Sequence, residues 1–200
     1  MDTIETGTYV ANQGNYGQCI AIDEYSISKI SDGFLVESNN TIFGTNGFQQ
    51  KAELITDFHW KMQELNIHVE SLNNELHVSV NEGKVYVHQK KQDTVFKKNI
   101  DLQHKNYFFI YSGALIIPMI WLRGFDFDNC EKVTYQMLPV GFADIKQIPD
   151  TVSSNNMREF SVLMYVRNFT DIIKIRTDVS GKLLSLHSVK NQLTIKKQQQ

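Results

Sequence analysis

Asn106-Tyr-Phe-Phe-Ile-Tyr-Ser-Gly-Ala-Leu-Ile-Ile-Pro-Met-Ile-Trp-Leu-Arg123 is the one long apolar block in a chain otherwise patterned as short β-strands. Something must cover it. Residues 107–122 fall short of the roughly 20 residues that span a bilayer, and Gly113 and Pro118 interrupt them. The block therefore reads as a strand end followed by a short buried helix over residues 112–122, lying against the concave face of a sheet.

The chain before the block supplies that sheet. Leu65, Ile67 and Val69 alternate with Asn66, His68 and Glu70, and Leu76, Val78 and Val80 alternate with His77 and Ser79. A tight turn at Asn73-Asn74 would set Val69 opposite Val78 and Ile67 opposite Val80. A second turn at Glu82-Gly83 sets Val85 opposite Val80 and Val87 opposite Val78, so successive strands share one apolar face, as in an antiparallel meander. Residues 8–11, 18–30, 34–38 and 49–58 read as earlier strands, and Trp60 and Met62 lead into the meander.

After the block the same logic returns. Around Ser180-Gly181, Ile175 opposes Leu186 and Thr177 opposes Leu184, with Lys174, Arg176, Ser185 and His187 on the other face. Phe160, Val162, Met164 and Val166 alternate with Ser161, Leu163, Tyr165 and Arg167, an apolar pattern on both faces that suits a central strand. Pro139 and Pro149 flank residues 140–148, which read as an isolated or edge strand, and the Ser153-Ser-Asn-Asn156 cluster reads as a loop. The count comes to about ten strands and one helical segment in a mainly β, strongly bent antiparallel sheet. Residues 1–195 form the expected single domain, and residues 196–200 an expected disordered tail.

Composition narrows the function. Twenty Lys and Arg against 22 Asp and Glu leave a net charge of −2, which gives no field to hold a polyanion, so nucleic acid is not an expected partner. The Met1-Asp-Thr-Ile-Glu-Thr-Gly start has neither a basic nor an apolar leader region, and Cys19 and Cys130 stand far apart, so a cytoplasmic protein is the expectation. No phosphate-binding loop, dinucleotide fingerprint, nucleophile elbow or zinc-protease motif is present, and no cofactor or metal is expected.

Two constellations could carry chemistry. The expected register puts Glu70, His77 and His88 in one cross-strand row, which could hold zinc or form a base with its orienting acid, but equally describes a solvated polar face. Asp126 and Asp128, alternating with Phe125 and Phe127, could face a hard cation or simply frame a turn with a buried Phe pair. The apolar candidates are Leu115, Met119, Trp121 and Phe125, whose composition suits a lined pocket and a filled core alike.

The stretches Asn99-Ile-Asp-Leu, Tyr111 through Arg123, Glu131-Lys-Val-Thr-Tyr-Gln-Met-Leu138 and the closing hairpin from Ile175 to Leu186 occur in an order that resembles the half-barrel lipoprotein carriers (LolA-like) and their glycolipid-binding relatives. The resemblance implies a bent sheet wrapped around a short helix, with a hollow that takes acyl chains. On that reading the chain binds a lipid, glycolipid or other apolar small molecule without catalysis, with Leu115, Met119, Trp121 and Phe125 lining the hollow and Arg123 and Arg167 facing an acidic head group. The alternatives are a hydrolase or isomerase built on the Glu70, His77 and His88 row, and a structural module that pairs, for example as a homodimer, through an exposed sheet edge. None of these readings places a segment across a membrane.

Overall fold

The computed structural model describes residues 1–14, 16–109, 115–124, 132–138, 141–147, 157–166 and 169–198. Eight strands run as a meander: β1 (Asp2–Gln13), β2 (Gln18–Ile30), β3 (Gly33–Ile42), β4 (Phe48–Thr56), β5 (Met62–Val69), β6 (Asn74–Asn81), β7 (Lys84–Lys91) and β8 (Thr94–Asp101). The short β9 (Tyr107–Phe109) is followed by β10 (Lys132–Leu138), β11 (Gly141–Gln147), β12 (Met157–Val166), β13 (Phe169–Asp178), β14 (Leu183–Ser188) and β15 (Leu193–Lys197). All belong to one sheet, ordered from β8 down to β1, then from β15 down to β9, and open between β8 and β9. Among the described strands only the β9–β10 pairing is parallel.

Fifteen strands, rather than about ten, reflect pieces that carry little hydrophobic signal. In β8 every residue but Ile100 is exposed, so it shows no alternation to read. Residues 141–147 are not an isolated or edge strand: β11 is hydrogen-bonded on both sides, to β10 and to β12. Lys196 and Lys197 are not tail either, since they pair with Val10 and Tyr9 of β1 and the Gln198 N–H continues to the Thr8 carbonyl.

The β6–β7 register around Glu82-Gly83 is as expected, with Val80 opposite Val85 and Val78 opposite Val87, and both turn residues have positive φ, as a two-residue hairpin of this type demands. The β5–β6 register is not. A 3-10 turn over Glu70–Leu72, closed by Asn73 at φ 48°, replaces the Asn73-Asn74 tip, so that Ile67 opposes Leu76 and Leu65 opposes Val78. The longer loop leaves Leu72 in solvent and slides the pairing by four residues. An even slip preserves which face is apolar. In the C-terminal hairpin Ile175 opposes Leu186 as expected, but a register shift sets Thr177 against Leu183.

The apolar residues of the inner face form one cluster that includes Ile27, Leu54, Leu65, Val78, Phe160, Ile175 and Leu186. Ile116, Ile120 and Leu122 are buried in the same cluster, each contributing roughly 1.5–3 kcal/mol by leaving water. They belong to the segment that enters the bend, whose regular part is a 3-10 helix over Ile117–Gly124, shifted toward the C-terminus from the expected 112–122. Pro118 suits the start of such a helix because the first N–H groups have no intrahelical acceptor.

Side chains draw the two open edges together. The Gln136 carboxamide of β10 accepts from Gln103 N–H (2.7 Å) and donates to the Asp101 carbonyl (3.3 Å) at the end of β8, and Tyr107 Oη donates to the Met62 carbonyl (3.0 Å) of β5.

Candidate functional site

Two five-residue turns hold the inner segment from opposite sides. In turn 57–61 the Asp57 carboxylate accepts from the N–H groups of His59 (2.8 Å) and Lys61 (2.9 Å), and in turn 178–182 the Asp178 carboxylate accepts from Ser180 (2.9 Å) and Lys182 (3.0 Å). Their backbone bonds also match, from the Asp N–H to the Lys carbonyl and from the fourth residue's N–H to the Asp carbonyl. The fourth residue is left-handed in both, Trp60 at φ 61° and Gly181 at φ 82°. A side chain on Gly124 would run into the His59 carbonyl oxygen, and one on Gly181 would stand 2.8 Å from the Leu122 carbonyl oxygen, so the chain at 122–124 passes tightly between the tips.

Arg123 leaves this passage into a cluster of charges. Its guanidinium lies over Trp60, 5.2 Å from the ring centre, and Trp60 in turn stacks on Phe34 with the ring centres 4.0 Å apart. Arg123 Nη1 pairs with Glu5 at 2.9 Å, Lys182 Nζ reaches the other Glu5 oxygen at 2.9 Å and Lys197 Nζ at 3.3 Å, while Tyr25 Oη donates to Glu5 at 2.6 Å. The side chains of Arg123 and Glu5 are only 9% and 12% exposed. Tyr25 fits over the strand because Gly7 opposes it: a Cβ there would meet the phenol oxygen at 2.7 Å. Tyr25 also stacks on Tyr9, whose hydroxyl donates to the Leu183 carbonyl (2.8 Å).

Three cations therefore surround one carboxylate. Burial pushes the Glu5 carboxyl up, but the bonds from Arg123, Lys182 and Tyr25 outweigh it and bring the pKa from its ordinary 4.5 to about 2. Burial and the neighbouring Lys182 push Lys197 down to about 8, against the attraction of Glu5. Burial lifts both Tyr9 and Tyr25, so the phenols stay neutral. Among the described residues the charge does not balance, and Arg123 Nη2 is buried with no hydrogen-bond partner. A buried charged donor left unmet costs at least 1–3 kcal/mol, a cost that an added acceptor would offset.

A second polar patch crosses β2, β3 and β4. Asp23, Asn40 and Gln50 are successive ladder partners, and all three are buried. Asp23 accepts from Ser38 Oγ (2.5 Å) and from the backbone N–H of Ile116 (3.0 Å). Burial raises its pKa against these bonds and the nearby Asn40 amide. The Asn40 carboxamide stands beside Asp23 outside hydrogen-bonding geometry, and neither its atoms nor those of Gln50 have a partner.

Of the residues expected to bind ligand, Leu115 is half-buried and packs on the core cluster, and Arg123 occupies the charged site. The backbones of Met119 and Trp121 lie in the inner 3-10 helix, but their side chains, like Phe125 and Arg167 entirely, lie outside the described residues, as do Asp126, Asp128 and Cys130. Glu5, Lys182, Lys197, Tyr25, Asn40 and Gln50 were not anticipated. Their signal was weak, since Glu5, Tyr25, Asn40, Gln50 and Lys197 are scattered over five strands and Lys182 ends a turn.

The Glu70, His77 and His88 row does not assemble. His77 does oppose His88, but Glu70 sits in the 3-10 turn and Asn66 takes its place, bonded to His77 Nδ1 at 2.7 Å, with Glu64 at 3.6 Å. Among the described residues no group of His, Cys, Asp and Glu is arranged to hold a metal ion. Two grooves mark the sheet surface: about 700 Å³ beside Ile42, Phe48, Lys51, His68 and Glu70, and about 320 Å³ over Lys174, Arg176, His187 and Lys196. Neither is lined by a described residue of the inner segment. No described helix is long and apolar enough to cross a membrane.

No family model and no curated protein matches the chain. Among solved structures it is similar to a β-barrel-like protein of a domain of unknown function, DUF1849, from Brucella abortus, at a TM-score of 0.58 and 8% identity over 96% of this chain and 94% of that one. That likeness establishes a β-barrel-like fold.

Proposed function

We propose that the protein is a non-enzymatic carrier of an anionic amphiphile, whose acidic head is taken by Arg123, Lys182 and Lys197 and whose apolar part lies within the bent sheet. The observation that carries this reading is the partnerless Arg123 Nη2 in a sheltered cluster of three cations around one carboxylate. A carboxylate, sulfate or phosphate head would offset part of the excess positive charge and give Nη2 its acceptor, and guanidinium pairs readily with such oxyanions. An apolar chain that leaves water on binding adds non-directional affinity, at roughly 25 cal/mol per Å² of its surface buried.

Oleate and oleyl alcohol, compared by native mass spectrometry and calorimetry, test it. Oleate should bind at least about tenfold more tightly, Arg123→Gln should erase that preference, and Arg123→Lys should keep part of it. The preference should also fade as pH rises through about 8, because Lys197 is protonated below that value and neutral above it. Equal binding of acid and alcohol, or binding of neither, would remove the reading.

A further inference from the structure

We infer that Asn40 and Gln50 form a second recognition point, for a neutral group bearing adjacent hydroxyls, on residues separate from the Arg123 cluster. The two are direct partners in the β3–β4 ladder, 1% and 2% exposed, and all four nitrogen and oxygen atoms of their carboxamides lack a partner. Directly opposed residues have Cβ atoms about 5 Å apart, within reach of a mutual bond that these two do not make. Thr56 and Thr177 each leave one buried hydroxyl in the same state, but only Asn40 and Gln50 leave whole carboxamides side by side.

The buried carboxylates of this protein behave differently. Asp23 is met by Ser38 and the Ile116 N–H, and Asp171 by Ser188 Oγ (2.5 Å), Asn191 Nδ2 (3.1 Å) and the Lys190 N–H (3.1 Å). Both buried carboxylates are thus met locally, whereas the paired carboxamides are not.

The ligand class follows from the donor and acceptor pattern. Each carboxamide sets N–H donors beside an accepting oxygen, and a pair of adjacent hydroxyls, each able to donate and accept, complements it. An anion would face the Asp23 carboxyl next in the row. A cation would have to draw on Asp23, whose two oxygens are already bonded and whose charged form burial disfavours.

The experiment compares 1-monoolein, which carries two adjacent hydroxyls, with oleyl alcohol, which carries one, on wild type, on the double variant Asn40→Leu with Gln50→Leu, and on Arg123→Gln. Monoolein should bind wild type about tenfold more tightly than oleyl alcohol and shift the side-chain amide resonances of Asn40 and Gln50. The double variant should lose that preference, while Arg123→Gln should keep it, so failure here is distinct from failure of the oleate comparison. Without ligand, the double variant should melt no lower than wild type, because it removes buried groups that bond to nothing. Absence of monoolein binding, a preference that survives in the double variant, or a lower melting temperature for that variant would each overturn the inference.

Discussion

The turns 57–61 and 178–182 share their backbone bonds, their capping aspartate and their left-handed fourth residue, yet they hold the chain between them by different forces. Turn 57–61 presents Trp60, which lies between Phe34 and the Arg123 guanidinium. Turn 178–182 presents Lys182, joined to Arg123 only through Glu5, and brings its bare Gly181 against the Leu122 backbone. One contact is aromatic and indifferent to acid. The other depends on a carboxylate staying charged.

The largest effect should come from removing that carboxylate. Glu5→Gln leaves three partly buried cations uncompensated, and urea unfolding should report a loss of roughly 3–5 kcal/mol. Acid should do the same to the unmutated protein. The folded-state pKa of Glu5 is depressed, so its stabilisation is complete above pH 4.5 and is lost as pH falls toward about 2. Amide exchange in that window should rise at residues 178–182 before it rises at 57–61. Simultaneous opening would dissolve the contrast.

A smaller effect separates the fourth residues. Gly181→Ala puts a Cβ on a left-handed backbone and 2.8 Å from the Leu122 oxygen, and should cost about 2 kcal/mol. Trp60→Gly relieves a left-handed strain worth about 1 kcal/mol while losing the stack, so its net cost in the same melt should be the smaller of the two. If Trp60→Gly proves the more damaging, the aromatic contact outweighs the backbone.

The smallest effect should show what the turns share. Asp57→Ala and Asp178→Ala each remove two backbone bonds of the same geometry, and the second also frees the exposed Ser180 hydroxyl (2.6 Å), whose bond water replaces, so each should cost about 1 kcal/mol, equally within the error of denaturant titration. A clear inequality would mean that the turns are equivalent only in outline.

Much of the sheet could be read from alternation, since inward and outward residues differ in polarity along β5, β6 and β7. Even the four-residue slip between β5 and β6 left the buried face unchanged, because parity rather than register decides the face. The ring of charge was less legible. Glu5, Lys182 and Lys197 are dispersed along the chain and ordinary in context, and only Arg123, ending an apolar run, drew notice. Gly7 makes room for Tyr25 from an adjoining strand, and Trp60 adopts a conformation that favours glycine; neither can be inferred from its sequence neighbours. Asn40 and Gln50 were obscured for another reason, since polar residues in a strand read as outward until the partner strands are known.

The pairing of β1 with β15 has a consequence in time. It places the first and last strands side by side in the middle of the sheet, where Glu5 and Lys197, 192 residues apart, make contact. As the chain is synthesised, β1 can pair with β2 almost at once, but its other edge stays uncovered until β15 exists. Contacts this distant in sequence close late and slowly. The Glu5 carboxylate belongs to that final closure, so during synthesis the interior remains open along its central seam, and a ligand that needs the completed cation cluster can be captured only when the last strand docks.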